Sequence, residues 1–224
     1  MTSPFLPSDD LNENISQFFY DPKIPPKPPG HFSTLYLLRR DAAKCMGKNP
    51  NTYEQQSEAE FSQALWPGLM AVFAGIDLLA KFYKDDDQGP IGERFEAYVE
   101  KFICPDHPEW KKSLWKLRNA VMHSFGLYGG KVNGKEERYL LTAGGGIVNI
   151  PDETPTQRTI HFDILRIWTS FEEHLSEFQA WVIAHEKNPH LESLLINYGF
   201  TAVGIVKLEP TSPFTIAVSG DVSK

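Results

Sequence analysis

The chain has 224 residues, 22 Lys and Arg against 29 Asp and Glu, and a net charge of -7. That length suits one domain with embellishments, and the acidic balance excludes a protein coated in positive charge, such as a non-specific nucleic-acid packager. Cys45 and Cys104 are its only cysteines, so no disulfide framework is implied and a cytoplasmic, reducing location is expected.

Residues 1–31 read as a polar and then proline-rich arm, with Pro22, Pro25, Pro26, Pro28 and Pro29 favouring a polyproline II segment. The first ten residues lack the basic start and apolar core of a secretory signal. A single helical domain is expected over 32–208. It opens with a helix from Phe32 to Met46, where Phe32, Leu35, Tyr36, Leu38 and Ala42 recur at helical spacing and Ser33 offers a cap. A long helix is predicted from about Tyr53 to Lys84, kinked or divided at Pro67. Its apolar run, Leu69 to Phe82, is interrupted by Asp77 and is too short to span a bilayer, so no membrane association is expected. Asp77 is the one acid in that stripe, and a buried acid needs a partner.

The stretch Asp85 to Pro90 breaks the pattern without the spacing of a calcium loop. Helices follow from Ile91 to Cys104 and from Glu109 to about Phe125. The glycine-rich stretch 126–155 then reads as a β-hairpin insertion, pairing Tyr139–Thr142 with Ile147–Ile150 around Gly144-Gly-Gly146. Asp163 caps a long amphipathic helix to about Glu186, a short helix covers Pro189 to Tyr198, and a lone strand follows from Phe200 to Leu208 before a tail at 209–224. The sum is a mainly α fold, an up-down four-helix bundle with a core over about 53–198, an additional N-terminal helix, the hairpin insertion and a short C-terminal strand.

The helix at 109–125 carries the chemistry. At about 100° per residue, Trp110, Leu114, Leu117, Val121 and Phe125 form its core stripe, while Lys112, Lys116, Asn119 and His123 lie nearly opposite. Arg118, Trp115 and Met122 sit on the flank. Asn119 and His123 are one turn apart, but Arg118 and His123 are separated by roughly 140° in an ideal α-helix. Lys111, Lys112, Lys116 and Arg118 concentrate positive charge beside large apolar groups, a combination that marks an interface. A symmetric dimer joining two such helices would bring the arginine and histidine of both subunits to one cleft. Bland readings stand beside this one: His123 as a helix-end histidine near terminal carbonyls, Arg118 paired with an acid of the adjoining helix, and the lysines as a solvated face. His174 and His185 share a helix face without a third ligand, so no metal site or cofactor is expected.

Arg118-Asn119-Ala-Val-Met-His123 resembles the signature of HEPN domains, an arginine, four to six intervening residues and a histidine near the end of a bundle helix, often with asparagine after the arginine. The resemblance covers roughly Tyr53 to Tyr198. It implies a metal-independent endoribonuclease, with His123 as acid or base, Arg118 stabilising phosphoryl charge and Asn119 orienting the imidazole or phosphate. Lys112 and Lys116 would track the RNA backbone and Trp115 would stack on a base. It further implies a homodimer through this helix, and a toxin role would call for a nucleotidyltransferase-like antitoxin as partner. The alternative is a non-catalytic dimerisation, partner-binding or nucleotide-binding module.

Overall fold

The computed structural model describes residues 10–23, 33–56, 64–124, 126–186 and 188–200. The expected polyproline run, the strand beyond Phe200 and the C-terminal tail lie outside the described residues. Within the arm lies a helix, α1 (Leu11–Phe18), capped by the Asp10 carboxylate. Phe18 is fully buried and meets Phe82 edge-on, with ring centroids 5.1 Å apart. Helix α2 spans Thr34–Cys45 and starts at Ser33, whose hydroxyl accepts from Tyr36 N–H.

Helix α3 begins only at Leu65 and runs to Lys84. Ala64 just before it is non-helical, with φ -113° and ψ 60°, Tyr53 has a left-handed backbone at φ 61°, and residues 57–63 of the expected helix lie outside the described residues. Pro67 therefore falls in the first turn, where its missing N–H is one that a helix leaves unpaired anyway, and no kink is needed. By length and composition α3 could cross a bilayer, yet here it packs in the core, burying Leu69, Val72, Phe73, Ile76 and Leu79.

Helix α4 (Ile91–Tyr98) widens into a π-helical turn at Val99–Ile103. A short 3-10 turn at Pro108–Trp110 leads into α5 (Lys111–Asn119), which again widens into a π turn at Ala120–Ser124. After the sheet, the predicted long helix is divided at His174 into α6 (Ile164–Glu173) and α7 (Leu175–Ala184). Asp163 caps α6 by accepting from Arg166 N–H at 3.0 Å. The last helix, α8, covers Pro189–Tyr198. Phe178 sits where these helices meet, edge-on to both Tyr98 and Phe102 at 5.2 Å, a favoured aromatic geometry.

The up-down four-helix bundle with a hairpin insertion is corrected by the sheet. Four strands are present, β1 (Tyr128–Val132), β2 (Lys135–Thr142), β3 (Val148–Glu153) and β4 (Gln157–Asp163), in the order β1-β2-β4-β3. Strands β2 and β3 are not hairpin partners: β4 lies between them, parallel to β2 and antiparallel to β3. Gly144-Gly-Gly146 thus spans to the far edge of the sheet, and the buried Asp163 carboxylate holds it by accepting from Gly144 N–H at 2.6 Å. The tight hairpin joins β1 to β2 at Asn133-Gly134. Both residues have positive φ, 52° and 81°, as a type I′ turn demands. A Cβ at Gly134 would meet nothing within 4 Å, so Gly134→Ala is expected to cost about 1 kcal/mol, from backbone strain alone, in urea unfolding. One face of the sheet buries Tyr139, Val148, Ile160 and Phe162 against the helices, while Leu140 stays exposed on the other.

Candidate active site

The π turn after α5 decides the geometry of the Arg118 motif. Its hydrogen bonds run from i to i+5, so residues five apart are stacked, where an α-helix would splay them. Arg118 Nη1 consequently lies 2.7 Å from His123 Nε2 within a single chain. No second subunit is required to bring them together. An arginine can only donate, so this contact needs a lone pair on Nε2 and places the imidazole proton on Nδ1. The same Nη1 donates to Asn119 Oδ1 at 3.0 Å.

Arg118 is held from the other side by α3. Its Nε and Nη2 donate to Asp77 Oδ2 at 3.0 and 2.6 Å. Asp77 answers the expectation that the lone acid of that stripe has a partner, and it replaces the acids of α4 as the partner of Arg118. Burial pushes the Asp77 carboxyl above its ordinary pKa, and the hydrogen bonds and charge of Arg118 draw it back. Asp77 Oδ1 is buried without a hydrogen-bond donor among the described residues. The guanidinium is itself buried, with 7% of Arg118 exposed, whereas His123 is exposed.

The other expected site residues are placed differently. Trp115 packs onto α4, 5.4 Å from the Phe95 ring and against Gly92, where an added Cβ would come within 3.0 Å of the indole. Its ring also lies 5.2 Å from the Arg118 guanidinium carbon, so it backs the arginine. Lys116 reaches the sheet, donating to the buried Glu137 carboxylate at 2.9 Å. Lys111 pairs with Glu100. Lys112 is exposed and has no ion partner among the described residues. Three of the four clustered cations therefore have carboxylate partners, contributed by α3, β2 and the π turn after α4.

A groove of about 430 Å³ adjoins the cluster, with Asp77 and Met122 on its wall beside Lys81, Asn197, Tyr198 and Phe200. Nothing in the spacing of those last four residues marks them as site residues, because α3, α8 and the segment just after α8 must pack before they meet. A second cavity, of about 500 Å³, contains none of the motif residues. Two of its charges satisfy each other: Arg39 donates to Glu172 at 2.8 Å and to the Tyr20 carbonyl at 3.2 Å, and the Tyr53 hydroxyl donates to Glu172 at 3.1 Å.

No protein-family model matches the chain, and neither does any curated protein or any solved structure.

Proposed function

We propose that the chain is a metal-independent endoribonuclease acting through His123, Arg118 and Asn119, in the manner that the motif's resemblance to HEPN domains implies. The observation that carries the reading is the 2.7 Å approach of Arg118 Nη1 to His123 Nε2, on a guanidinium anchored by Asp77 and beside an open groove. His123 Nε2 takes the proton of a ribose 2′-hydroxyl as that oxygen attacks phosphorus. The phosphorus–O5′ bond breaks, the 5′ oxygen is protonated by water, and a 2′,3′-cyclic phosphate remains. Arg118 Nη1 turns from the imidazole to the phosphoryl oxygens as their charge grows, and Asn119 steadies it. DNA lacks the attacking hydroxyl and is left intact.

A rival reading draws on a specific observation. Arg118 is buried and already makes four hydrogen bonds to Asp77, Asn119 and His123, which suits a structural pin in a non-catalytic binding module. Incubation with mixed RNA in chelator at neutral pH separates the two. The enzyme leaves cyclic-phosphate ends with wild type and far fewer with His123→Ala; RNA that stays whole with both proteins supports the pin. A toxin role, a homodimer through this helix and a nucleotidyltransferase-like antitoxin are part of the same proposal, and size measurement in solution tests the dimer.

A further inference from the structure

The cavity of about 500 Å³ away from the motif is rich in open acceptors and poor in open donors. The carboxylates of Asp21, Glu172 and Glu173 line it, against the cations of Lys23 and Arg39. Arg39 and Glu172 are committed to each other, and Tyr53 adds its hydroxyl to the same carboxylate. Glu173 has no ion partner among the described residues, and the side chains of Thr169, Ser176 and Gln179 make no hydrogen bond among them. Glu173 and Ser176 are exposed, and no polar atom of Thr169 or Gln179 is sealed from solvent. These four positions follow one another at steps of about one helical turn, so their acceptors form a line from α6 into α7. The uncommitted cation is Lys23, whose ammonium lies 4.6 Å from the centre of the Tyr53 ring. Asp21 Oδ1 accepts the Lys23 backbone N–H at 2.9 Å and lies 4.0 Å from Arg39 Nη2. The chain thus keeps one of its own ammonium groups in an aromatic and acidic setting that draws such groups.

We propose that this cavity binds an aliphatic polyamine. Its ammonium groups donate to the Glu173 carboxylate and to the hydroxyl and amide oxygens along α6 and α7, and one of them displaces Lys23 from the Tyr53 ring. An anion is disfavoured, because carboxylates outnumber cations on the wall. A compact cation reaches one of these acceptors at a time, whereas charges spaced along a flexible chain reach several in line. Lys23 is exposed and competes for the place that the ligand takes. The proposal does not depend on the ribonuclease reading.

Isothermal titration calorimetry of the full chain with spermidine at physiological ionic strength tests it. One saturable site per chain is expected, with n-butylamine at least about tenfold weaker. Lys23→Ala is expected to tighten spermidine binding at least about threefold, because the site is then no longer partly occupied from within. Glu173→Gln is expected to weaken it about fivefold. Glu93→Gln, which removes the same charge from an exposed position on α4, is expected to leave it unchanged, and thermal midpoints near wild type check that each variant folds. No saturable binding, n-butylamine binding as tightly as spermidine, or unchanged or weaker binding in Lys23→Ala overturns the polyamine site. Equal loss in the two glutamate variants overturns it as well, since that result marks general attraction to an acidic surface.

Discussion

Asp77→Ala is expected to lower the unfolding free energy by about 3 kcal/mol or more, since removing one partner leaves a buried guanidinium uncompensated. The size follows from geometry: Arg118 has 9% of its side chain exposed and spends two of its donors on one Asp77 oxygen. Burying such a pair need not add net stability, because the desolvation of both charges offsets their attraction. Burial raises the Asp77 carboxyl despite the hydrogen bonds and charge of the arginine beside it. The double variant Asp77→Leu with Arg118→Met is therefore expected to recover most of the loss. The pH dependence has a definite sign. A carboxyl raised in the folded state binds its proton more tightly there than in the unfolded chain. The stability it contributes is full below the ordinary carboxylate pKa and is lost as pH rises through the raised folded value. Urea unfolding from mildly acidic to neutral pH should show that decline in wild type and not in the double variant, and a single variant as stable as wild type would remove the pin.

His123→Ala is expected to reduce RNA cleavage by about 10²- to 10⁴-fold, the usual contribution of a positioned acid or base, while the thermal midpoint stays close to wild type. The side chain is exposed, and its contact shown here is to Arg118 Nη1, which keeps its bond to Asn119 and its anchor at Asp77 through Nε and Nη2. Arg118→Lys separates charge from shape at the same site. A lysine keeps the positive charge but cannot reach Asp77 and His123 with one rigid fork, so cleavage should fall with it too. Equal cleavage by all three proteins would assign the activity elsewhere.

Much of the helical content was legible. The caps at Ser33 and Asp163 are where short polar side chains precede apolar periodicity, and α8 has the predicted bounds because Pro189 and Gly199 punctuate it. The start of α3 was not, since apolar periodicity extends back to Tyr53, whose backbone is left-handed, and across Ala64, which is non-helical. The sheet was misread for a chemical reason. The triple glycine drew the turn to 144–146, while Asn133-Gly134, the stronger hairpin signal, stands between β1 and β2. Strand β4, with its inward Ile160 and Phe162, was hidden among charged and polar neighbours, and a parallel pairing leaves no local mark. At the site, Asp77 announced itself as an acid without company, but its partner stands 41 positions away. The closeness of Arg118 and His123 was invisible because it depends on a change of helical pitch that no residue type encodes.

That pitch makes the end of α5 a gearing element. Were residues 120–124 to rewind to ordinary α pitch, five steps of about 100° would carry the imidazole roughly 140° around the axis from the guanidinium. Asp77 would still grip the arginine, so the two halves of the motif would part with α3 undisturbed. The wide turn is thus what lets imidazole and guanidinium meet; at ordinary pitch each would stand on its own side of the helix.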